Sequence, residues 1–140
     1  MRPKNDWKGC PVRYAAGLIG DPWTLVLLRD LMFKGKRHFR DFLVEEAPAT
    51  NVLAARLAHL ETAGIIARRR DPDRGNQVIC ALTEKGVALV PVLLALIDWS
   101  AKYDPETEAP AEFVAAYRAD PAAFSQALSQ ALSPARRPPR

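Results

Sequence analysis

Residues 50–63, TNVLAARLAHLETA, run straight into residues 64–82, GIIARRRDPDRGNQVICAL, and the joint between them sets the architecture. In the first stretch Leu53, Leu57 and Leu60 recur at helical spacing and form one inward stripe. Thr50 is placed to cap that helix, and Gly64 to end it in a left-handed turn. In the second stretch, IIARRR and QVICAL are short β-prone runs on either side of DPDRGN, a cluster of turn formers. That is the pattern of a hairpin, here a basic one.

Working outward, prolines punctuate the chain upstream. Pro11 and Pro22 read as first helical residues, where a missing N–H costs nothing, with Asp21 as an N-cap and Gly20 closing the first helix. From Pro22, PWTLVLLRDLM puts Trp23, Leu27 and Leu31 on one face with Val26 beside them, as a core helix does. After the FKGKR turn, Phe39, Phe42 and Leu43 mark a short helix ending near Pro48.

Downstream, Thr83 caps a helix that opens TEKG and runs to about Tyr103, with a kink expected at Pro91. It is apolar nearly all round. Val87, Val90, Leu94 and Ile97 fill one side, and Leu89, Val92, Leu93, Leu96 and Trp99 fill most of the other. A chain this short has little to cover both sides, so the sequence predicts a homodimer through Val90, Leu93, Leu94, Leu96 and Ile97. Beyond the linker DPETEAP, one short helix carries Phe113 and Tyr117, and another starts at Asp120-Pro121 with Phe124, Leu128 and Leu132 in register. The final SPARRPPR has nothing to bury and reads as a disordered basic tail. The expected division is 1–104 for DNA binding and dimerisation, 105–133 for a helical extension and 134–140 for the tail.

Composition sets the outer limits. With 140 residues, 49% hydrophobic and 26% charged, the chain has room for a core but not for a second catalytic domain. The net charge is +4, and all of it lies in residues 1–100, because residues 101–140 hold five basic and five acidic side chains. Cys10 and Cys80 form neither a CxxC pair nor a disulfide scaffold, which fits a reducing cytoplasm. The apolar run around residues 87–97 is interrupted by Pro91 and is too short to span a bilayer. An enzyme is disfavoured: His38 and His59 stand in separate elements, no GxSxG occurs, and FKGKR lacks P-loop spacing. No metal or cofactor is expected.

The order helix, helix, helix-turn-helix, basic hairpin, long apolar helix describes a mainly α winged helix-turn-helix with a small β-hairpin wing and a C-terminal helical extension. Three blocks carry a family resemblance: GCPVRYAAGLIGDPWTLVLLRDLMFKGKRHF from Gly9, TNVLAARLAHLETAGIIARR from Thr50 and ALTEKGVALVPVLLALIDW from Ala81. Together and in this order they resemble the HxlR-type winged helix transcriptional regulators over roughly the first 100 residues. The wing tip DPDRGN is also similar to the related MarR type. The resemblance implies a cytoplasmic homodimer that binds a roughly palindromic double-stranded operator and regulates transcription, with repression as the expected mode.

On the 50–63 helix the leucine stripe leaves Asn51, Ala54, Ala55, Ala58 and His59 facing outward or sideways. Asn51 is the best base reader, since its amide matches adenine, while the methyl group of Ala55 suits that of thymine. Asn51 also competes as a helix cap. Thr50 and Arg56 are placed to hold phosphates, or respectively to cap the helix and to pair with a nearby carboxylate. In the wing Arg68, Arg69 and Arg70 alternate across the strand, which puts Arg68 and Arg70 together, and Arg74 at the tip suits a narrow minor groove. The opposing reading is a solvated charge run balanced by Asp71 and Asp73. Lys34, Lys36, Arg37 and Arg40 crowd the turn before the short helix as further phosphate ligands.

Cys10 precedes Pro11 at a helix start, with Lys8 and Arg13 close in sequence, a setting that favours a thiolate. Some HxlR-type regulators use a cysteine in the corresponding CPV-like segment to sense oxidants or electrophiles, so the resemblance makes Cys10 a candidate sensor, against an inert packed thiol. Cys80 reads as inert core. A small-molecule effector is the other candidate, with Trp7, Trp23, Trp99, Phe113 and Tyr117 as pocket-lining aromatics or as core. The alternative to a regulator is a winged helix that binds a protein and reads no DNA sequence.

Overall fold

A computed structural model describes residues 8–35, 37–42, 50–73, 75 and 77–134. The elements are α1 (Pro11–Ile19), α2 (Pro22–Phe33), a 3-10 turn (Phe39–Phe42), α3 (Thr50–Thr62), β1 (Ile66–Arg70), β2 (Val78–Leu82), α4 (Glu84–Val87), α5 (Val90–Tyr103), α6 (Ala111–Ala119) and α7 (Pro121–Leu132). The fold is mainly helical, with β1 and β2 paired as an antiparallel hairpin wing. Two compact units divide it: one holds the chain up to Ala63 together with Arg68–Cys80, and the other holds Gly64–Ala67 and the chain from Ala81 onward.

In the first unit both opening helices begin on proline behind a capping side chain. Cys10 Sγ accepts from the Arg13 backbone N–H at 3.4 Å, and Asp21 Oδ2 accepts from that of Thr24 at 3.0 Å. Each occupies one of the donors that a helix start leaves without an internal partner. Helix α2 buries Leu27, Leu28, Leu31 and Met32, while Trp23 and Val26 are only half-buried, so its inward face is turned away from the tryptophan. Helix α3 packs on α2 and shuts Leu53, Leu57 and Leu60 away completely. Its described part runs from Thr50, and the residues just before it lie outside the described residues. The expected short helix is a 3-10 turn over Phe39–Phe42, and Leu43 and Pro48 lie outside the described residues. Just before that turn, His38 forms an antiparallel bridge with Ile79, and the Cys80 N–H donates to the Arg37 carbonyl at 2.6 Å.

In the second unit Gly64 takes the left-handed conformation expected of it, with φ at +79°. Thr83 then ties the hairpin base to the next helix. Its hydroxyl donates to the Gly64 carbonyl at 2.5 Å, accepts from the Gly86 N–H at 3.2 Å and so caps α4, while its own N–H donates to the Ile65 carbonyl at 3.0 Å. Gly86 has to be glycine because any Cβ there would collide with the Ile65 carbonyl oxygen. The chain turns at residues 88–89 and restarts as α5 with Pro91 in its first turn. Pro91 therefore opens a helix and does not kink one, since at that position its absent N–H has no carbonyl to miss. Helices α5, α6 and α7 pack on one another. Phe124 of α7 receives Phe113 and Tyr117 edge-on at 5.1 and 6.0 Å, and Arg118 Nε donates to Asp98 at 2.6 Å.

Two expectations about the apolar helix need correction. The helical stretch Glu84–Tyr103 is, by length and composition, long and apolar enough to cross a membrane, although the apolar run read as too short. Its inner face is nevertheless packed, with Val90, Leu93 and Leu94 at 0, 5 and 1% exposure in the single chain. Those three residues, expected at the dimer interface, are therefore core. What remains uncovered is a stripe of Val92, Leu96, Trp99 and Tyr103, at 40, 42, 65 and 62% exposure, with Ile97 half-buried beside it.

Candidate nucleic-acid interface

The surface that the first unit offers follows from the α3 stripe. With Leu53, Leu57 and Leu60 fully buried, the helical repeat turns Asn51, Ala54, Ala55 and Ala58 outward, and all four are exposed. The outward face is thus short in reach: methyl groups and one amide. Asn51 turns its amide oxygen back to accept from the Val52 N–H at 3.0 Å, which leaves its NH2 as the outward donor.

Arg56 lies at the side of this face, and the structure gives it the carboxylate partner. Its Nε and Nη2 donate to Asp21 Oδ2 and Oδ1 at 2.8 and 3.1 Å, a two-pronged pair joining α3 to the residue that caps α2. The guanidinium holds the Asp21 carboxyl below the usual carboxylate range, helped by the Thr24 N–H and opposed by partial burial. The pairing in turn raises Arg56 above the ordinary arginine value. Arg56 is thereby turned away from the role of a ready phosphate ligand. His59, exposed on the same helix, brings Nε2 to 3.1 Å from the Leu18 carbonyl near the end of α1.

In the wing, Arg68 and Arg70 share one side of β1, as strand alternation requires. Arg68 is spent on Glu61 of α3, with Nε and Nη2 both donating to Oε1 at 3.0 and 2.8 Å. Arg69 and Arg70 are exposed. Arg37 is half-buried with its Nε shut away from solvent, whereas Lys34 is exposed. Lys36 and Arg74 lie outside the described residues, as do the side chains of Thr50 and Arg40.

Sequence reasoning passed over one group. Asp71, read as part of a solvated charge run, is 2% exposed, and His38, read as an isolated histidine, stands with Nε2 at 2.8 Å from Asp71 Oδ2. The two are thirty-three positions apart, and only the pairing of residues 37–38 with β2 brings them together. The signal available in sequence was the DPD turn, in which an Asp hydrogen-bonds to the backbone two residues on.

The candidate sensor and effector residues sit elsewhere. Cys10 is a free, half-buried thiol at the start of α1, and Cys80 is a buried one whose pKa desolvation pushes up to about 11. Of the aromatic set, Phe113 and Tyr117 are used on Phe124, Trp99 is exposed beside Tyr103 with ring centroids 5.4 Å apart, Trp23 belongs to α2, and Trp7 lies outside the described residues. Among the described residues no group of three His, Cys, Asp or Glu is placed to hold a metal ion.

Comparison with known proteins bears on the fold and the family. The family model described as HxlR-like helix-turn-helix matches residues 18–108. The chain is 36% identical over 100 residues to YdeP of Bacillus subtilis (strain 168), an uncharacterized HTH-type transcriptional regulator, spanning 71% of this chain and 77% of that one. Among solved structures it is similar to PA1607, a candidate transcription factor, with a TM-score of 0.67 at 32% identity over 76% of this chain and 75% of that one. It is also similar to the redox regulator HypR in its reduced form, with a TM-score of 0.61 at 28% identity over 68% of this chain and 94% of that one.

Proposed function

From the premise that this chain belongs to the HxlR-like helix-turn-helix family of transcriptional regulators, we propose that it represses transcription as a homodimer on a roughly palindromic operator. In this reading α3 lies in the major groove and the β1–β2 wing follows the neighbouring minor groove. The observation that carries it is the outward face of α3: Asn51, Ala54, Ala55 and Ala58 stay exposed on a helix whose opposite stripe is wholly buried. A short-reach face lets the helix sit deep in the groove. There the Asn51 amide pairs with adenine and the alanine methyls meet thymine methyls, while Arg70 and Lys34 take phosphates. The dimer forms through the uncovered stripe on α5, which two-fold symmetry would bury against its own copy.

The test is a mobility-shift titration against the DNA flanking the chain's own gene, with random DNA as competitor. Preference for the flanking DNA at physiological salt is expected, and Asn51→Ala should relax base preference more than it lowers affinity. Equal binding to both DNAs would overturn the regulator reading in favour of a protein-binding winged helix.

Control by oxidation at Cys10 completes the reading. It is supported by a half-buried thiol at a helix start and by similarity to a regulator whose structure is known in reduced and oxidized forms. An oxidant should change operator affinity in the parent protein and leave Cys10→Ser unmoved. An equal response in both would remove Cys10 from the proposal.

A further inference from the structure

Asp71 is a carboxylate taken out of water at the root of the wing, and both of its oxygens are committed. Oδ2 stands 2.8 Å from His38 Nε2, and Oδ1 accepts from the Asp73 N–H at 2.9 Å. Its own N–H donates to the Gln77 carbonyl at 2.8 Å across the base of the wing loop. His38 is anchored equally well on its own side. Its backbone N–H donates to Asp41 Oδ2 at 3.2 Å, its Nδ1 is 3.6 Å from that oxygen, and it bridges to Ile79 on β2. The groups facing the imidazole are therefore Asp71 from the wing and Asp41 from the 3-10 turn, with the apolar Ile79 beside it and the buried Cys80 next along β2.

A buried carboxylate is costly unless it is paired, and an apolar side chain of similar size is often at least as stable in such a place. Such a group is better understood by what it positions. Asp71 follows β1 and begins the loop, with one oxygen fixing the first turn of that loop and the other held by the residue that leads into the helix-turn-helix. We infer that His38 and Asp71 form a positioning pair that sets the wing loop relative to the turn entering the helix-turn-helix. The pair joins two backbone segments that each approach DNA in the function proposed above, and its consequence for operator binding rests on that reading.

Two substitutions separate positioning from mere packing. His38→Leu keeps bulk and removes the donor. His38→Gln keeps a donor near the Nε2 position. Amide hydrogen exchange on the free protein should show the Asp71 and Asp73 amides exchanging roughly tenfold faster in His38→Leu, with the buried amides of α2 and α3 unchanged and most of the protection recovered in His38→Gln. Wing exchange in His38→Leu equal to the parent's, or no recovery in His38→Gln, would overturn the pair. Titrating the same three proteins against the operator should give a loss of about tenfold in affinity for His38→Leu and its recovery in His38→Gln. If the parent prefers no DNA, the function reading fails by itself, and the exchange comparison still decides the pair.

Discussion

The Arg56 guanidinium closes on both oxygens of Asp21, and a pair of this kind leaves a pH signature. Asp21 titrates lower in the folded chain than in the unfolded one, so the unfolded state binds the extra proton first as pH falls. The stabilisation is complete above the ordinary carboxylate range and is lost as pH falls through that range to the depressed folded value. Urea unfolding followed from neutral pH into acid should therefore show a steeper loss of stability for the parent than for Asp21→Asn. The partners are only partly buried, so solvent screening keeps the difference small, and added salt should reduce it further. Identical acid limbs for the two proteins would show that the pair contributes nothing. A lone Arg on a helix flank allowed a carboxylate partner without naming which one. Asp21 was legible as a cap, and its second partner, thirty-five residues away, became visible only once α3 was laid on α2.

Among the elements, α5 is where sequence pattern and fold part company for a physical reason. Helical periodicity showed two apolar sides, and it could not say which of them α6 and α7 would cover. Val90, Leu93 and Leu94 went inward, and Val92, Leu96, Trp99 and Tyr103 stayed out. The leucine stripe of α3, by contrast, was fully legible, because a single apolar face can point only one way. So was the hairpin, whose turn formers leave the chain few alternatives. The uncovered stripe repeats at spacings of four, three and four residues, one face of a helix long enough to pack against a two-fold copy. Trp99→Glu on that face should convert the proposed dimer to monomer in sedimentation velocity at micromolar concentration and leave the far-UV circular dichroism unchanged. Leu93→Glu, aimed into the core, should instead unfold the unit. A Trp99→Glu protein that sediments as the parent does would move the dimer interface off α5.

At the scale of the whole molecule the question is how a net charge of only +4 gives a useful affinity for DNA. The excess lies entirely in the first 100 residues, yet within the helix-turn-helix and wing Arg56 and Arg68 are already matched by Asp21 and Glu61. Local pairing thus reduces the number of cations free to displace counterions from phosphates, and it leaves exposed residues such as Arg70 to do so. Each phosphate contact contributes about 0.9 to the slope of log affinity against log salt. In a two-fold dimer every substitution is made twice, so Arg70→Ala should lower that slope by about two, whereas a chain binding as a monomer would lose about one. Arg68→Ala should change the slope much less, because the charge it removes was screened by Glu61, and it should show its effect in the stability of the wing. Fluorescence anisotropy titrations at several salt concentrations on one operator duplex distinguish these outcomes. An unchanged slope in Arg70→Ala would take β1 of the wing off the DNA, and a larger loss for Arg68→Ala would mean that its pair with Glu61 opens when the operator is bound.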